Sequence, residues 1–176
     1  MRNFSWLIGA ALALALALAL ASSACIASSR IGNVVITQSN GAPCFGIPDN
    51  TETRDGLPLS TVIVTKHGAP DVTSPPVEVW FSWIEPRGRT IILKPKNCIR
   101  YGVMPAPAHQ ELLVPLQAYA VYSVTLDAAP VGSSLQGYKS EFCMIPDAAK
   151  KLRVQVIPWD KQTSAWRYDL CASRNF

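Results

Sequence analysis

The sequence has little that could carry out catalysis. It contains only two histidines, His67 and His109, and neither lies in a recognisable nucleophile motif. The G-x-S-x-G, H-E-x-x-H and glycine-rich phosphate-binding motifs are all absent. A lone histidine in a turn is usually a solvated side chain, so we expect both to lie on the surface. These gaps argue against an enzyme, a cofactor or a small-molecule substrate.

The sequence also lacks a large excess of either basic or acidic residues. The chain has 16 basic and 12 acidic residues, a net charge of +4 and no basic run, which argues against nucleic-acid binding. The acids are scattered except for Asp49, Glu52 and Asp55, which share one loop. This loop lacks the spacing of an EF-hand, and Asp and Asn are common turn formers. We therefore expect a turn there and no metal site.

Long apolar runs are missing apart from one near the start, from Leu7 to Ala21. This run is short for a membrane span, which needs about 20 apolar residues. One arginine precedes it and the small residues "SSAC" follow, an order typical of an export signal over residues 1–24. The junction resembles a bacterial lipobox, with Ser22 where leucine is usual. We expect Cys25 to be acylated; the alternative is ordinary cleavage that leaves this cysteine unmodified.

Four cysteines remain after Cys25. An exported chain with an even number of cysteines is expected to form disulfides, so we predict two. Three pairings are possible, and the sequence does not choose among them. Neighbouring pairs close the shorter loops, which favours Cys44–Cys98 and Cys143–Cys171.

No segment after the signal has helical periodicity, and many alternate as β-strands do. After a short tether, residues 25–32, we predict a single all-β domain over residues 33–176 with about nine strands. Trp159 and Trp166 flank the last turn and should pack across it. Nine segments are predicted as strands, at 33–38, 43–47, 60–66, 77–84, 90–94, 120–128, 139–145, 152–158 and 165–171, and the short segment 111–115 is a tenth candidate.

The stretch "LQAYAVYSVTLDA" indicates how the strands pack. Leu116 lies six residues before Tyr122, and a regular alternation follows. This resembles the tyrosine corner of fibronectin type III and immunoglobulin-like domains, in which the tyrosine hydroxyl bonds to backbone a few residues upstream. It implies an antiparallel immunoglobulin-like β-sandwich of about 7–9 strands.

The strand "VEVWFSW" suggests a binding surface. Strict alternation places Trp83 with valines on an apolar face and Trp80 with Glu78 on the opposite face, where Trp80 is either covered by a loop or exposed. An exposed tryptophan beside arginine is a common anchor of protein interfaces. We therefore predict a partner-binding patch made of Trp80, Arg87 and Arg89.

Four segments together resemble a known family. These are "GAPCFGIPD", "LKPKNCIRYG", "YKSEFCMI" and the closing "RVQVIPWD" with "WRYDLC", which run from Gly41 to Cys171. They are similar to segments of small bacterial periplasmic lipoproteins that serve as immunity proteins of type VI secretion systems. Ser22 departs from the lipobox of that group.

The resemblance implies a binding protein that neutralises an effector toxin. Ile26 follows the cysteine where aspartate would retain such lipoproteins in the inner membrane, so the expected location is the periplasmic side of the outer membrane. The alternative is a cell-envelope assembly or adhesion module with the same fold and no toxin partner.

Overall fold

The computed structural model describes residues 30–67, 75–85, 89–128 and 136–172. The structure is all-β, and no α-helix occurs within these described ranges. Cys25 and the export signal lie outside them. The strands are β1 (Arg30–Gly32), β2 (Val35–Ser39), β3 (Ala42–Gly46), β4 (Leu57–Lys66), β5 (Val77–Ile84), β6 (Ile91–Leu93), β7 (Cys98–Arg100), β8 (Ala108–Leu113), β9 (Val121–Ala128), β10 (Gln136–Pro146), β11 (Leu152–Ile157), β12 (Trp159–Asp160) and β13 (Ala165–Trp166).

The strands form one large mixed sheet and two small sheets. The large sheet has eight strands, with the order β1-β10-β9-β4-β5-β8, while β11 pairs with β10 and β6 pairs with β4. Only β1 runs parallel to its neighbour, β10, and it falls inside the segment that we assigned to the tether. The other sheets are β2-β3-β7 and β12-β13. The fold is therefore all-β, as predicted.

The three-stranded sheet packs against the large sheet through aromatic side chains. The ring of Phe45 on β3 lies 5.6 Å from that of Phe142 on β10 and 6.2 Å from that of Trp80 on β5. All three side chains are fully buried. Burying such large apolar surfaces is the main favourable term in folding, so these rings fix how the sheets meet.

Strand β9 confirms the predicted alternation. Tyr122, Val124 and Leu126 are fully buried, and the tyrosine ring stacks on Phe142 at 5.4 Å. The backbone N–H of Gln117 donates to the Tyr122 hydroxyl at 2.7 Å. The hydroxyl bond to upstream backbone that the sequence predicted is therefore present.

Replacing Tyr122 by phenylalanine should lower the free energy of unfolding by about 1 kcal/mol, because the ring stays in place while one hydrogen bond is lost. The exposed Tyr119 provides the control, and its replacement by phenylalanine should have almost no effect. Urea unfolding followed by circular dichroism measures both. Equal losses in the two variants would contradict a structural role for the Tyr122 hydroxyl.

Strand β5 corrects the prediction for the two tryptophans. Trp80 is fully buried and shares its face with the buried Ser82 and Ile84, whereas Trp83 is only half-buried. The pairing of β5 shifts register against β4 near Val64 and again against β8 near Ser82. The first shift leaves Val79 as an extra residue on β5, so Val79 and Trp80 are both buried. Strict alternation therefore fails in β5 and the predicted faces are wrong, while the second shift adds its residue on β8.

The C-terminal segment covers the second face of β10. Trp159 lies opposite Trp166 in the β12–β13 pair, with ring centroids 5.4 Å apart, as predicted. The predicted strand 165–171 is wrong beyond Trp166, because a 3₁₀ helix spans Tyr168–Cys171. Arg167 donates twice to the Asp169 carboxylate at 2.8 Å, which closes this turn.

Two disulfides, Cys44–Cys98 and Cys143–Cys171, brace the fold. The pairing that closes the shorter loops is confirmed. The first bond joins β3 to β7, and the second joins β10 to the 3₁₀ helix. Disulfides persist in oxidising compartments, so the pair suggests an extracytoplasmic location. Within the described ranges, no helix has the length and apolar character that crossing a membrane requires.

Candidate functional site

The predicted patch of Trp80, Arg87 and Arg89 is not supported as a surface. The Trp80 indole is fully buried, packs on Tyr101 at 5.2 Å and donates to Gln110 Oε1 at 3.3 Å. Arg89 is exposed, and Arg87 lies outside the described residues. Trp80 is therefore a core residue, and its prediction as an exposed anchor is wrong.

An open groove of about 710 Å³ lies elsewhere, between β6 and β7. We call it the β6–β7 groove; it is lined by all of β6 and β7, by Lys96 and Asn97, by residues 103–105, and by Ser39 and Cys44. Ile92 and Val103 keep 45% and 47% of their surfaces exposed within it. Its volume falls within the range of about 300–1,000 Å³ that is typical of ligand sites.

Two features hold the walls of the groove in place. The Cys44–Cys98 disulfide ties β3 to β7, and the pairing of Phe45 with Ile99 aligns the same strands. Gly46 allows close approach of the β6–β7 turn, since a Cβ there would lie 2.7 Å from the carbonyl oxygen of Asn97. The groove is therefore built on backbone that the fold holds rigidly.

The charged side chains that line the groove are both cationic. Lys96 pairs with Asp49 at 3.3 Å, with both side chains largely exposed, so solvent and salt weaken that pair. Among the described residues, no carboxylate lies within ion-pair distance of Arg100. A groove with apolar walls and a free guanidinium suits an anionic, partly apolar partner.

A second cluster lies under the C-terminal segment. Glu141 is only 2% exposed, and its carboxylate lies 3.0 Å from His67 Nε2 and 3.8 Å from Lys139 Nζ. The Tyr168 hydroxyl donates to it at 3.5 Å. Buried carboxylates need such partners. His67 keeps 31% of its side chain exposed, so it lies at the surface as expected, but it also contacts this buried carboxylate. The cluster joins the end of β4 to the 3₁₀ helix.

The exposure of His109 and the turn in the acidic loop follow the predictions. His109 is exposed and stacks on Trp83 with ring centroids 4.5 Å apart. In the loop, the Asn50 side chain accepts hydrogen bonds from the backbone N–H groups of Glu52 and Thr53, which makes a turn. In the part of the chain that the structure describes, no group of three His, Cys, Asp or Glu residues is placed to hold a metal ion.

Burial raises the pKa of four tyrosines above the ordinary value of 10.0. They are Tyr101, Tyr122, Tyr138 and Tyr168, and the charge of Glu141 raises the pKa of Tyr168 further. In the unfolded chain these groups ionise near pH 10, while the folded chain keeps their protons. Their stabilising effect is therefore complete below about pH 10 and is lost as the pH rises.

We expect the free energy of unfolding to fall above about pH 10, with a slope of up to about 1.4 kcal/mol per pH unit for each of Tyr101, Tyr122 and Tyr138. Tyr168 is 41% exposed, so solvent reduces its share. Urea unfolding at a series of alkaline pH values measures the slope. Ultraviolet titration of phenolate in the native and urea-unfolded protein is the control. If the phenolate titration curves of the native and the urea-unfolded protein coincide, burial does not raise the pKa of these tyrosines.

Comparison of the chain with protein-family models, with curated proteins and with solved structures gives no match. Function therefore has to be argued from the residues of this chain. Neither the groove nor the Glu141 cluster was predicted from the sequence. The Glu141 cluster is assembled from segments that are distant in the chain. Most of the groove comes from residues 91–105, where the motif "LKPKNCIRYG" supplies the whole β6–β7 turn and β7, and Ser39 and Cys44 join it from a distant segment.

Proposed function

We propose that this protein is an exported, lipid-anchored binding protein whose partner is another protein. The observation that carries the proposal is the β6–β7 groove, an open concave surface with exposed Ile92 and Val103 beside Arg100. Protein interfaces are commonly centred on apolar and arginine side chains with a solvated rim. A rigid groove also lowers the entropy cost of binding.

The proposed partner is an effector toxin of a type VI secretion system. Support comes from the family resemblance, because two of its segments meet at the groove. The segment Gly41–Asp49 contains β3, and the segment Leu93–Gly102 contains β7; the disulfide between them lies in the groove wall. An immunity protein needs a stiff surface where the toxin acts, and acylation of Cys25 would keep it at the periplasmic side of the outer membrane.

Competition between sibling cells tests this function. We expect a strain lacking the gene to be killed by a parent that delivers the effector, and the intact gene to restore survival. The matched variants are Arg100→Glu in the groove and Lys161→Glu in the exposed β12–β13 turn, each of which reverses one positive charge. Arg100→Glu should protect poorly and Lys161→Glu should protect fully. Full resistance of the deletion strain would reject the toxin partner.

Mass spectrometry of the protein from native membranes tests the anchor separately. We expect an N-terminal peptide that begins at Cys25 and carries fatty acyl groups. The Cys25→Ser variant should be released into the soluble fraction. An unacylated mature protein would reject the anchor while leaving the groove untouched.

We also infer that the body is an immunoglobulin-like sandwich. The packing of Phe45 onto Phe142 and the Gln117 bond to Tyr122 support this inference. Nuclear Overhauser contacts between the rings of Phe45 and Phe142 should be strong in solution. If the contacts measured in solution do not place the two sheets face to face, the sandwich is rejected.

A role in envelope assembly is the second candidate, and one observation favours it. Strand β8 is the last strand in the order of the large sheet, and Leu113 at its end is 46% exposed. Free strand edges are where other chains can pair. Envelope defects on deletion, with no gain in toxin sensitivity, would favour this function over immunity.

A further inference from the structure

We propose that the β6–β7 groove binds an extended segment of its partner, rich in acidic and apolar residues, as an added strand along β7. This inference rests on the proposed function only in that the partner is a protein. It does not require the partner to be a toxin. Strand addition is a common mode of peptide recognition, in which backbone hydrogen bonds give affinity and side-chain sites give specificity.

The course of the groove supports binding along β7. All three residues of β6 and all three of β7 line it. Successive side chains of a strand point to opposite faces of a sheet. A groove bordered by three consecutive residues of β7 therefore reaches the edge of that strand. Ser39 of β2 and Cys44 of β3 also line the groove, so it extends from this edge onto one face of the small sheet.

The outer edge of β7 also offers backbone groups to an added strand. Strand β7 is the last strand of the β2-β3-β7 sheet, so within the described ranges it has a strand neighbour on one side only. The N–H of Tyr101 donates to the carbonyl of Pro43. Because hydrogen bonding alternates along an antiparallel strand, the N–H groups of Cys98 and Arg100 point to the other edge. These are the groups that an added strand would engage.

The side chains that line the groove favour a segment with acidic and apolar residues. Ile92 and Val103 offer exposed apolar surface, and the charged residues that line the groove, Lys96 and Arg100, are both positive. An extended segment that alternates apolar and acidic residues would place one set on the apolar walls and the other near these cations. A basic segment would meet repulsion from the same groups.

Binding of designed peptides to the full mature protein, with both disulfides intact, tests the proposal. The first probe is a short capped peptide of alternating valine and glutamate. The second has lysine in place of each glutamate, and the third is the acidic peptide with N-methyl groups on alternate amides. Chemical-shift changes of the ¹⁵N-labelled protein give both the affinity and the location of binding.

We expect the acidic peptide to shift the amide signals of Cys98 and Arg100. Its affinity should fall about tenfold or more on N-methylation and with the lysine peptide. Arg100→Glu should weaken binding similarly and Lys161→Glu should not. Arg100→Gln should give an intermediate loss, and it keeps the test valid if the charge reversal disturbs folding.

Equal binding of the acidic and lysine peptides, or of the methylated and unmethylated peptides, would overturn the proposal. So would shifts confined to other strands, stronger effects from vesicles of phosphatidylglycerol, or β7 signals that change with the concentration of the protein alone. If sibling competition shows no toxin protection while the acidic peptide still binds along β7, the toxin assignment fails and the strand-addition proposal stands. If the protein protects against the toxin while the peptide binds elsewhere, the strand-addition proposal fails and the toxin assignment stands.

Discussion

Replacing Trp80 by alanine should lower the free energy of unfolding by about 3–5 kcal/mol, the usual cost of removing a buried large aromatic side chain. Trp80 is fully buried, with Phe45 and Tyr101 packed against its ring. Its removal leaves a cavity where the small sheet meets the large one. Because most domains are stable by only about 5–15 kcal/mol, the variant should unfold at a much lower urea concentration.

Trp159 supplies the comparison, since 48% of its surface is exposed and its main aromatic contact is Trp166. Trp159→Ala should cost only about 0.5–1.5 kcal/mol. Trp80→Phe should give an intermediate loss and remains measurable if the alanine variant fails to fold. If Trp80→Ala proved no more costly than Trp159→Ala, Trp80 would not be a core residue.

Removing the Cys44–Cys98 disulfide has the second large expected effect. The bond closes a loop with a sequence separation of 54 residues, and on the chain-entropy model its loss costs about 4 kcal/mol. The variant Cys44→Ala with Cys98→Ala removes it without leaving a free thiol. We expect lower stability in urea and a mobile β7, so peptide binding in the groove should weaken as well.

The second disulfide provides a matched comparison. Cys143–Cys171 closes a loop of 28 residues, and its removal should cost about 3.5 kcal/mol while leaving binding in the β6–β7 groove unchanged. Thiol titration of the unfolded, unreduced protein checks that both bonds exist. If all four of these cysteines titrate as free thiols, the two disulfides do not stabilise the fold.

The sequence predicted β9 well and β5 poorly for an identifiable reason. Tyr122, Val124 and Leu126 occupy every second position of β9 and are fully buried, so a period of two places these side chains correctly, although Ser123 on the opposite face is buried as well. In β5 the register shifts against both neighbours. A bulge depends on how the paired strands align, and the sequence of one strand does not reveal it.

The candidate site was harder to predict than the fold. Strands β6 and β7 have three residues each, which is too short for a reliable periodic pattern, and the groove forms only where they come together with residues 103–105, Ser39 and Cys44. The Glu141 cluster was missed in the same way, because His67 and Tyr168 reach the carboxylate from distant segments. The cysteine pairing succeeded because loop length alone favoured the observed pairs.

Amide hydrogen exchange of the mature protein, with and without the proposed effector toxin, tests the central claim most directly. Binding at the groove predicts slower exchange in Ile91–Leu93 and Cys98–Arg100, with little change in β12 and β13. Unchanged exchange in both groove strands, together with protection elsewhere on the molecule, would contradict the account.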